Sequence, residues 1–297
     1  MLLFKDMKGV ILTNPYDTAS VQKHKVRRMQ QELTALGVDV SVVSNDSFVA
    51  EVINGDVKCH ISADFVLFFD KDKYTGEMLE KRGVRLFNSA KATAICDDKM
   101  LTHIMLANNG IPMPDTLPGA LCYNPMGELS DGYLQLACDK LGLPMIVKQC
   151  YGSYGDQVYL VSTKQELANK LNEIKTKPYL LQRYEKQSCG KDMRVIVIGG
   201  KAKCAMLREN KQDFRSNVAH GGHATATDIP QTVVKMCEDT ARIIGLDYCG
   251  IDVLLGDTPS ICEVNSNAMF EAMESVTGVN VAKLYAEHIV NCVKQAK

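Results

Sequence analysis

Three oxygen-bearing side chains near the carboxyl end, Asp252, Glu263 and Asn265, lie in a stretch whose pattern places them on one surface. In C-G-I-D-V-L-L-G-D-T-P-S-I-C-E-V-N-S-N, residues 249–267, two runs rich in apolar and β-branched residues flank Gly256-Asp257-Thr258-Pro259. That is the pattern of two antiparallel strands joined by a short turn. With the turn centred between Asp257 and Thr258, Asp252 falls opposite Glu263, and Asn265 follows two residues later along the same face. Ile251, Val253, Leu255, Cys262 and Val264 take the other face, so that side packs into the core, and Cys249 and Cys262 read as core thiols. Facing carboxylates repel and weaken the pairing. A divalent cation removes the objection. Carboxylate and amide oxygens, with room for phosphate and water, are the ligands expected of Mg²⁺ at a nucleotide rather than of zinc. The other reading is an ordinary hairpin with its acids toward water.

Cations of matching chemistry lie upstream. Lys148 stands near the end of an apolar run over residues 143–149, and Tyr151-Gly152-Ser153-Tyr154-Gly155-Asp156-Gln157 follows at once. A lysine at a strand end beside a glycine-containing loop delivers a point charge and backbone N–H groups to phosphate, while the same G-S-Y-G also reads as a surface turn. It is not a Walker loop, because the lysine precedes the glycines instead of following them. Arg208 and Arg215 read either as bidentate grips on a phosphate or carboxylate or as solvated charges. His220 and His223 read either as bases for an amine or as hydrogen-bonding loop histidines.

The elements that must hold these groups alternate. Apolar runs at residues 9–14, 38–43, 65–69 and 84–87 read as buried strands, with a helix over 21–36 that Gly37 stops, and together they predict a small open α/β unit with a parallel sheet. In such sheets ligands sit beyond the carboxyl ends of the strands, which marks residues 14–20 and 70–73 as candidate substrate loops. No G-x-G-x-x-G follows the first strand. Two helical segments fill residues 88–109, with Asp97-Asp98 near the start of the second, where acids suit the helix dipole. A helix over 132–141, strands at 143–149, 158–161 and 179–184, and a helix over 162–174 make a second lobe. Beyond Asp192 the chain is strand-rich, with helices over 230–244 and 279–293.

At 297 residues and 46% hydrophobic content the chain can bury a core and build two or three lobes. A net charge of −1 and the lack of any long Lys/Arg run argue against a nucleic-acid partner. The amino-terminal apolar run is too short for a signal peptide and no stretch is long enough to span a bilayer, so the expectation is a cytoplasmic protein with no membrane partner. Eleven cysteines without a C-x-x-C read as small buried thiols in a reducing compartment.

Four motifs, N-S-A-K-A-T-A-I-C-D-D-K at 88–99, D-F-R-S-N at 213–217, G-I-D-V at 250–253 and E-V-N-S at 263–266, occur in an order and spacing that resemble the ATP-grasp superfamily. The resemblance is close to its RimK-type branch of amino-acid (α-L-glutamate) ligases and runs almost end to end. It implies an α/β (α+β) chain with an amino-terminal open parallel-sheet domain at 1–96, and two lobes at 97–184 and 185–297 that clamp ATP. It implies ATP and Mg²⁺ or Mn²⁺ as cofactors. By position, Lys99 and Lys148 match lysines that contact the nucleotide, and Gly152, Ser153, Tyr154 and Gly155 match the mobile loop over the phosphates. Arg183 and Tyr184 match the strand whose backbone meets adenine, and Asp192 matches a carboxylate that contacts the nucleotide. Arg208 matches a group near the transferring phosphate, Arg215, Ser216 and Asn217 a further nucleotide-contacting segment, and Asp252, Glu263 and Asn265 the metal ligands. Lys148, Arg208 and Arg215 are then the groups expected to carry catalysis. The implied reaction joins an amine, L-glutamate by resemblance, to a carboxylate acceptor through an acyl phosphate; the acceptor is a small molecule or a protein C-terminus, and a homo-oligomer stays open. The chain departs from the family at Arg183, often Glu in relatives, at Ala268-Met269, usually a Pro-Gly or Ala-Gly step, and at Ala219-His220-Gly221-Gly222, often H-R-G-G. The last two lie beside the expected acceptor site. The alternatives are a neighbouring branch, of D-alanine or glutathione-synthetase type, and a nucleotide-binding sensor without catalysis.

Overall fold

The computed structural model describes residues 7–217 and 221–296. The alternation at the amino end folds as β1 (Lys8–Thr13), α1 (Ser20–Ala35), β2 (Asp39–Ser44), a hairpin of β3 (Ala50–Ile53) and β4 (Asp56–Cys59), β5 (Phe65–Phe69), α2 (Lys73–Lys81) and β6 (Leu86–Phe87). The main sheet has the order β2-β1-β5-β6 and is parallel throughout. Its central strand β5 is apolar at every position because both faces are covered: Phe65, Leu67 and Phe69 join one core and Val66 and Phe68 another. Residues 38–43 are not the buried strand expected of them. The strand runs to Ser44 at the sheet edge, pairs among the described residues only with β1, and leaves Val42 43% exposed. The hairpin β3–β4 was not expected, although its turn carries an Asn54-Gly55 step with positive φ at both residues.

Two short helices follow, α3 (Ala90–Asp97) and α4 (Lys99–Leu106). Asp97 closes the first instead of opening the second, and pairs with Lys71 at 2.7 Å. Asp98 is the cap of α4, accepting hydrogen bonds from the Met100 and Leu101 amides. Just before α3, Asn88 is buried and fully used. Its Nδ2 donates to the carbonyls of Tyr248 and Ser266, both at 2.8 Å, and its Oδ1 accepts from the Asp247 and Tyr248 amides.

The second sheet, β7-β10-β8-β9, is antiparallel and comprises β7 (Thr116–Pro118), β8 (Met145–Gln149), β9 (Val158–Val161) and β10 (Tyr179–Arg183). Helices α5 (Asp131–Leu141) and α6 (Lys164–Ile174) cover it, and its core, with Leu134, Val147, Leu167, Leu171 and Leu181, draws on no other sheet.

The third sheet, β13-β12-β11-β14-β15, is also antiparallel. Its strands are β11 (Lys191–Ile198), β12 (Lys201–Glu209), β13 (His223–Thr227), β14 (Tyr248–Leu254) and β15 (Ser260–Asn265), with α7 (Gln231–Ile244) between β13 and β14, and α8 (Glu271–Thr277) and α9 (Val281–Ala296) at the end. Val195 and Val197 point to a core shared with α3, α4 and α7, whereas Ile196 and Ile198 point to one shared with α1, β5 and α9. The amino-terminal sheet and the carboxyl-terminal sheet thus bury one common core, in which Tyr248 stacks on Tyr285 at 4.6 Å. Among the described residues no helix is long and apolar enough to cross a membrane. All eleven cysteines are free thiols, but only some are buried, and Cys189 is exposed.

Candidate active site

The hairpin pairs as its sequence demands, with Asp252 opposite Glu263, and then slips: Val253 pairs with Ile261, leaving Cys262 as a bulge. One extra residue reverses the side of everything before it. Ile261 therefore enters the core, while Cys262, expected there, faces a cleft between the second and third sheets and receives a hydrogen bond from Lys148 Nζ at 3.6 Å. Burial pushes its thiol up, against the pull of Lys148. Cys249 is in the core as expected.

Lys99, Lys148, Gly155, Arg183, Tyr184, Asp192, Arg208, Arg215, Ser216, Asn217, Asp252 and Glu263 all line this cleft. Gly152, Ser153, Tyr154 and Asn265 line instead a second cavity of about 510 Å³, and the two spaces share Lys99, Asn217 and Glu263. The second cavity also takes Asn14, Tyr16, Asp17 and Ala19 from one amino-terminal loop and Asp70 and Lys71 from another, the two loops singled out by fold logic. Ala268 and Met269 line it too, without filling it.

Asp252 is not a bare carboxylate facing another. Arg194, which lies opposite it on β11, binds it bidentately at 2.6 and 2.7 Å, and Arg208 reaches it at 2.9 Å while holding Asp192 through Nε at 2.7 Å. Burial alone would raise the Asp252 carboxyl, but the charges and hydrogen bonds of Arg194 and Arg208 outweigh it and hold it down to about 2. The same carboxylates raise Arg208 against its own burial. Among the described residues Glu263 pairs only with Lys99, at 3.5 Å, and Lys99 also donates to the Gly152 carbonyl at 2.9 Å. The cleft is lined by Lys99, Lys148, Lys191, Arg208 and Arg215 against Glu185, Asp192, Asp252 and Glu263, with Arg194 bound to Asp252, a positive balance that suits a polyphosphate. Arg194 was not expected, although it sits two residues after Asp192 on the same face of its strand.

Arg183 turns its side chain outward to Asp115, at 2.7 Å, leaving only its backbone for the cleft. Beside it Gln182 is 2% exposed and bonds His103 and Thr116. Burial, then the nearby Lys148, push the His103 imidazole down to about 4, so it is neutral at physiological pH. Arg215 spends two of its nitrogens on Asp213 and the third, at 3.0 Å, on the carbonyl of Gly155, tying the glycine loop to the loop that follows β12. Gly155 has φ +84, and a Cβ there would come within 3.0 Å of Asn217 Oδ1. His223 opens the edge strand β13 opposite Glu209, is exposed, and lines neither space. His220 lies outside the described residues.

The donor set suits a hard cation. Asn265 supplies an amide oxygen and Glu263 is only loosely paired, while Asp252 keeps a lone pair beyond those its arginines occupy. Among the described residues the one group of three or more His, Cys, Asp or Glu able to share an ion lies elsewhere, at Asp247, His288 and Cys292, and there Arg85 holds both Asp247 oxygens at 2.8 and 2.9 Å.

Comparison with known proteins adds three findings. Residues 96–289 match the RimK-like ATP-grasp domain. Human β-citrylglutamate synthase B is 28% identical over 295 residues, 93% of this chain and 75% of that protein, and human N-acetylaspartylglutamate synthase A is 32% identical over 226 residues, 75% of this chain and 56% of that protein. A D-alanine–D-alanine ligase from Bacillus anthracis, solved with ATP, superposes with a TM-score of 0.73 at 18% identity, covering 98% of this chain and all of that one.

Proposed function

The chain belongs to the RimK-like ATP-grasp family, and from that premise we propose that it joins the amino group of L-glutamate to the carboxylate of a small acid through an acyl phosphate. It is an ADP-forming ligase; the amine, the acid and the intermediate are the proposed part. The observation that carries them is the junction of cleft and cavity at Lys99, Asn217 and Glu263, where a carboxylate in the cavity can meet the terminal phosphate of a nucleotide in the cleft. The names of the relatives, which pair glutamate with citryl and N-acetylaspartyl groups, support the choice of substrates.

In this reading a carboxylate oxygen attacks the γ-phosphorus of ATP and ADP departs. The amine nitrogen then attacks the acyl carbon, loses a proton and expels phosphate. Phosphoryl transfer leaves the protein little covalent work, so positioning and positive charge from Lys99, Lys148, Arg208 and Arg215 carry the rate. The backbone of Arg183 and Tyr184 meets the adenine, Asp192 orients Arg208, and Ser216 and Asn217 hold the phosphate side. Glu263, Asn265 and an oxygen of Asp252 would hold Mg²⁺ or Mn²⁺, which when bound neutralises charge on the transferring group. Residues 152–155, closed by Arg215, keep water from the acyl phosphate.

The test is phosphate release from Mg-ATP across amino acids and carboxylic acids, with the product read by mass. Release that needs L-glutamate and a small acid supports the reading. D-alanine or glycine as the required amine moves the chain to a neighbouring branch, and glutamate added only to a peptide C-terminus moves the acceptor. The sensor reading finds no support, since Met269 leaves the cavity open.

A further inference from the structure

Lys25, on α1, is 1% exposed and takes part in no ion pair among the described residues. Its Nζ donates to the Asn267 carbonyl at 3.0 Å and stands 3.9 Å over the ring of Phe69. Phe69 and Asn267 are wall residues of the second cavity, as is Gln22 one turn earlier on α1, so Lys25 lies one layer behind that wall. Gln22 is itself buried, with its side-chain oxygen unpartnered among the described residues. The cations that line the cavity are answered already, Lys71 by Asp97, Lys99 by Glu263 and Arg194 by Asp252. A buried ammonium with no ion-pair partner is costly, and an apolar side chain of equal length would serve packing better.

We propose that Lys25 is the specificity-determining cation of the substrate cavity, selecting a substrate that carries a carboxylate beyond those that react. The proposal rests on the glutamate-ligase reading and names the charge its substrate must bear. Lys25 acts through the wall as a positioning charge, with no contact required. Desolvation pulls its ammonium down to about 7; Asp17, at the head of α1, raises it and Lys71 lowers it. Of the other charges around α1, His24 pairs with Glu271 and Arg28 with Glu32 and Glu274, Lys23 and Arg27 are exposed, and the Asp70 carboxylate, just after β5, accepts from the amides of Asn14 and Asn45. An arriving carboxylate therefore draws a proton onto Lys25, and binding takes up protons above neutral pH.

The experiment is calorimetric titration of L-glutamate, and of L-glutamine as its uncharged counterpart, into protein loaded with Mg-ADP. Wild type is expected to prefer L-glutamate by about tenfold or more, with a binding enthalpy at about pH 8 that varies with the ionisation enthalpy of the buffer. Lys25→Met is expected to bring the two ligands near parity and abolish the buffer dependence, with ADP affinity unchanged. A preference that survives in the variant, or a wild-type enthalpy equal in all buffers, overturns the inference and leaves the glutamate reading standing. Wild type that binds neither amino acid overturns that reading and the inference with it. The buffer series needs no variant, so the proposal stays refutable should Lys25→Met fail to fold.

Discussion

Asp252 and Glu263 face each other across two strands, yet removing their charges has different consequences. Glu263→Gln is expected to lower turnover by roughly a hundredfold or more. It should cost no more than about 1 kcal/mol in urea unfolding, because its lysine partner stands 3.5 Å away and keeps its hydrogen bond to the Gly152 carbonyl. Asp252→Asn should abolish turnover and also cost about 3 kcal/mol, since Arg194 and Arg208 are left buried without their counter-charge. Equal stability of the two variants would refute the assignment. Asp252 is held below its unfolded value of 3.8, so its contribution is complete above about pH 4 and fades as pH falls toward 2, measurable as an acid limb that Asp252→Asn lacks. The opposition of Asp252 and Glu263 was readable from a period of two. Lys99 and Arg208 were named for the site, but Arg194, the closest partner of Asp252, was not, because a strand pattern tells which face a residue takes and not which neighbouring strand will lie beside it.

At the scale of elements, the glycine loop and the hairpin show what local pattern can and cannot carry. The strand ends, the lysine of β8 and the loop after it stand where the sequence put them, since apolar runs bounded by glycine and proline have few other solutions. The bulge at Cys262 had no marker. A single inserted residue changes the parity of a strand without changing its composition, so Cys262 and Ile261 exchanged places. Gly155→Ala is expected to raise the KM for ATP about tenfold while lowering the thermal midpoint only slightly, because a side chain there meets local strain at φ +84 and the Asn217 amide. Steady-state kinetics alongside a melting curve checks it; an unaltered KM would mean that the loop does not close on the nucleotide.

At the scale of the molecule, the second sheet keeps a core to itself while the first and third bury one in common. The second lobe is then the part free to move as a body, and hydrogen exchange with a non-hydrolysable ATP analogue should slow in residues 150–157 and 213–217, leaving the shared core unaltered. Protection spread evenly over the chain would contradict this. Sequence reading delimited three regions but gave no hint that the first and last are packed together, since an amphipathic helix announces an apolar face without naming its partner. Asn88 belongs to that union: Asn88→Ala should cost about 3 kcal/mol by stranding buried peptide groups of Asp247, Tyr248 and Ser266. The common core also governs how such enzymes can be recombined. A chimera that borrows its first ninety residues from a relative inherits a head without the tail helix moulded to it, so a productive crossover has to bring α9 along from the same parent.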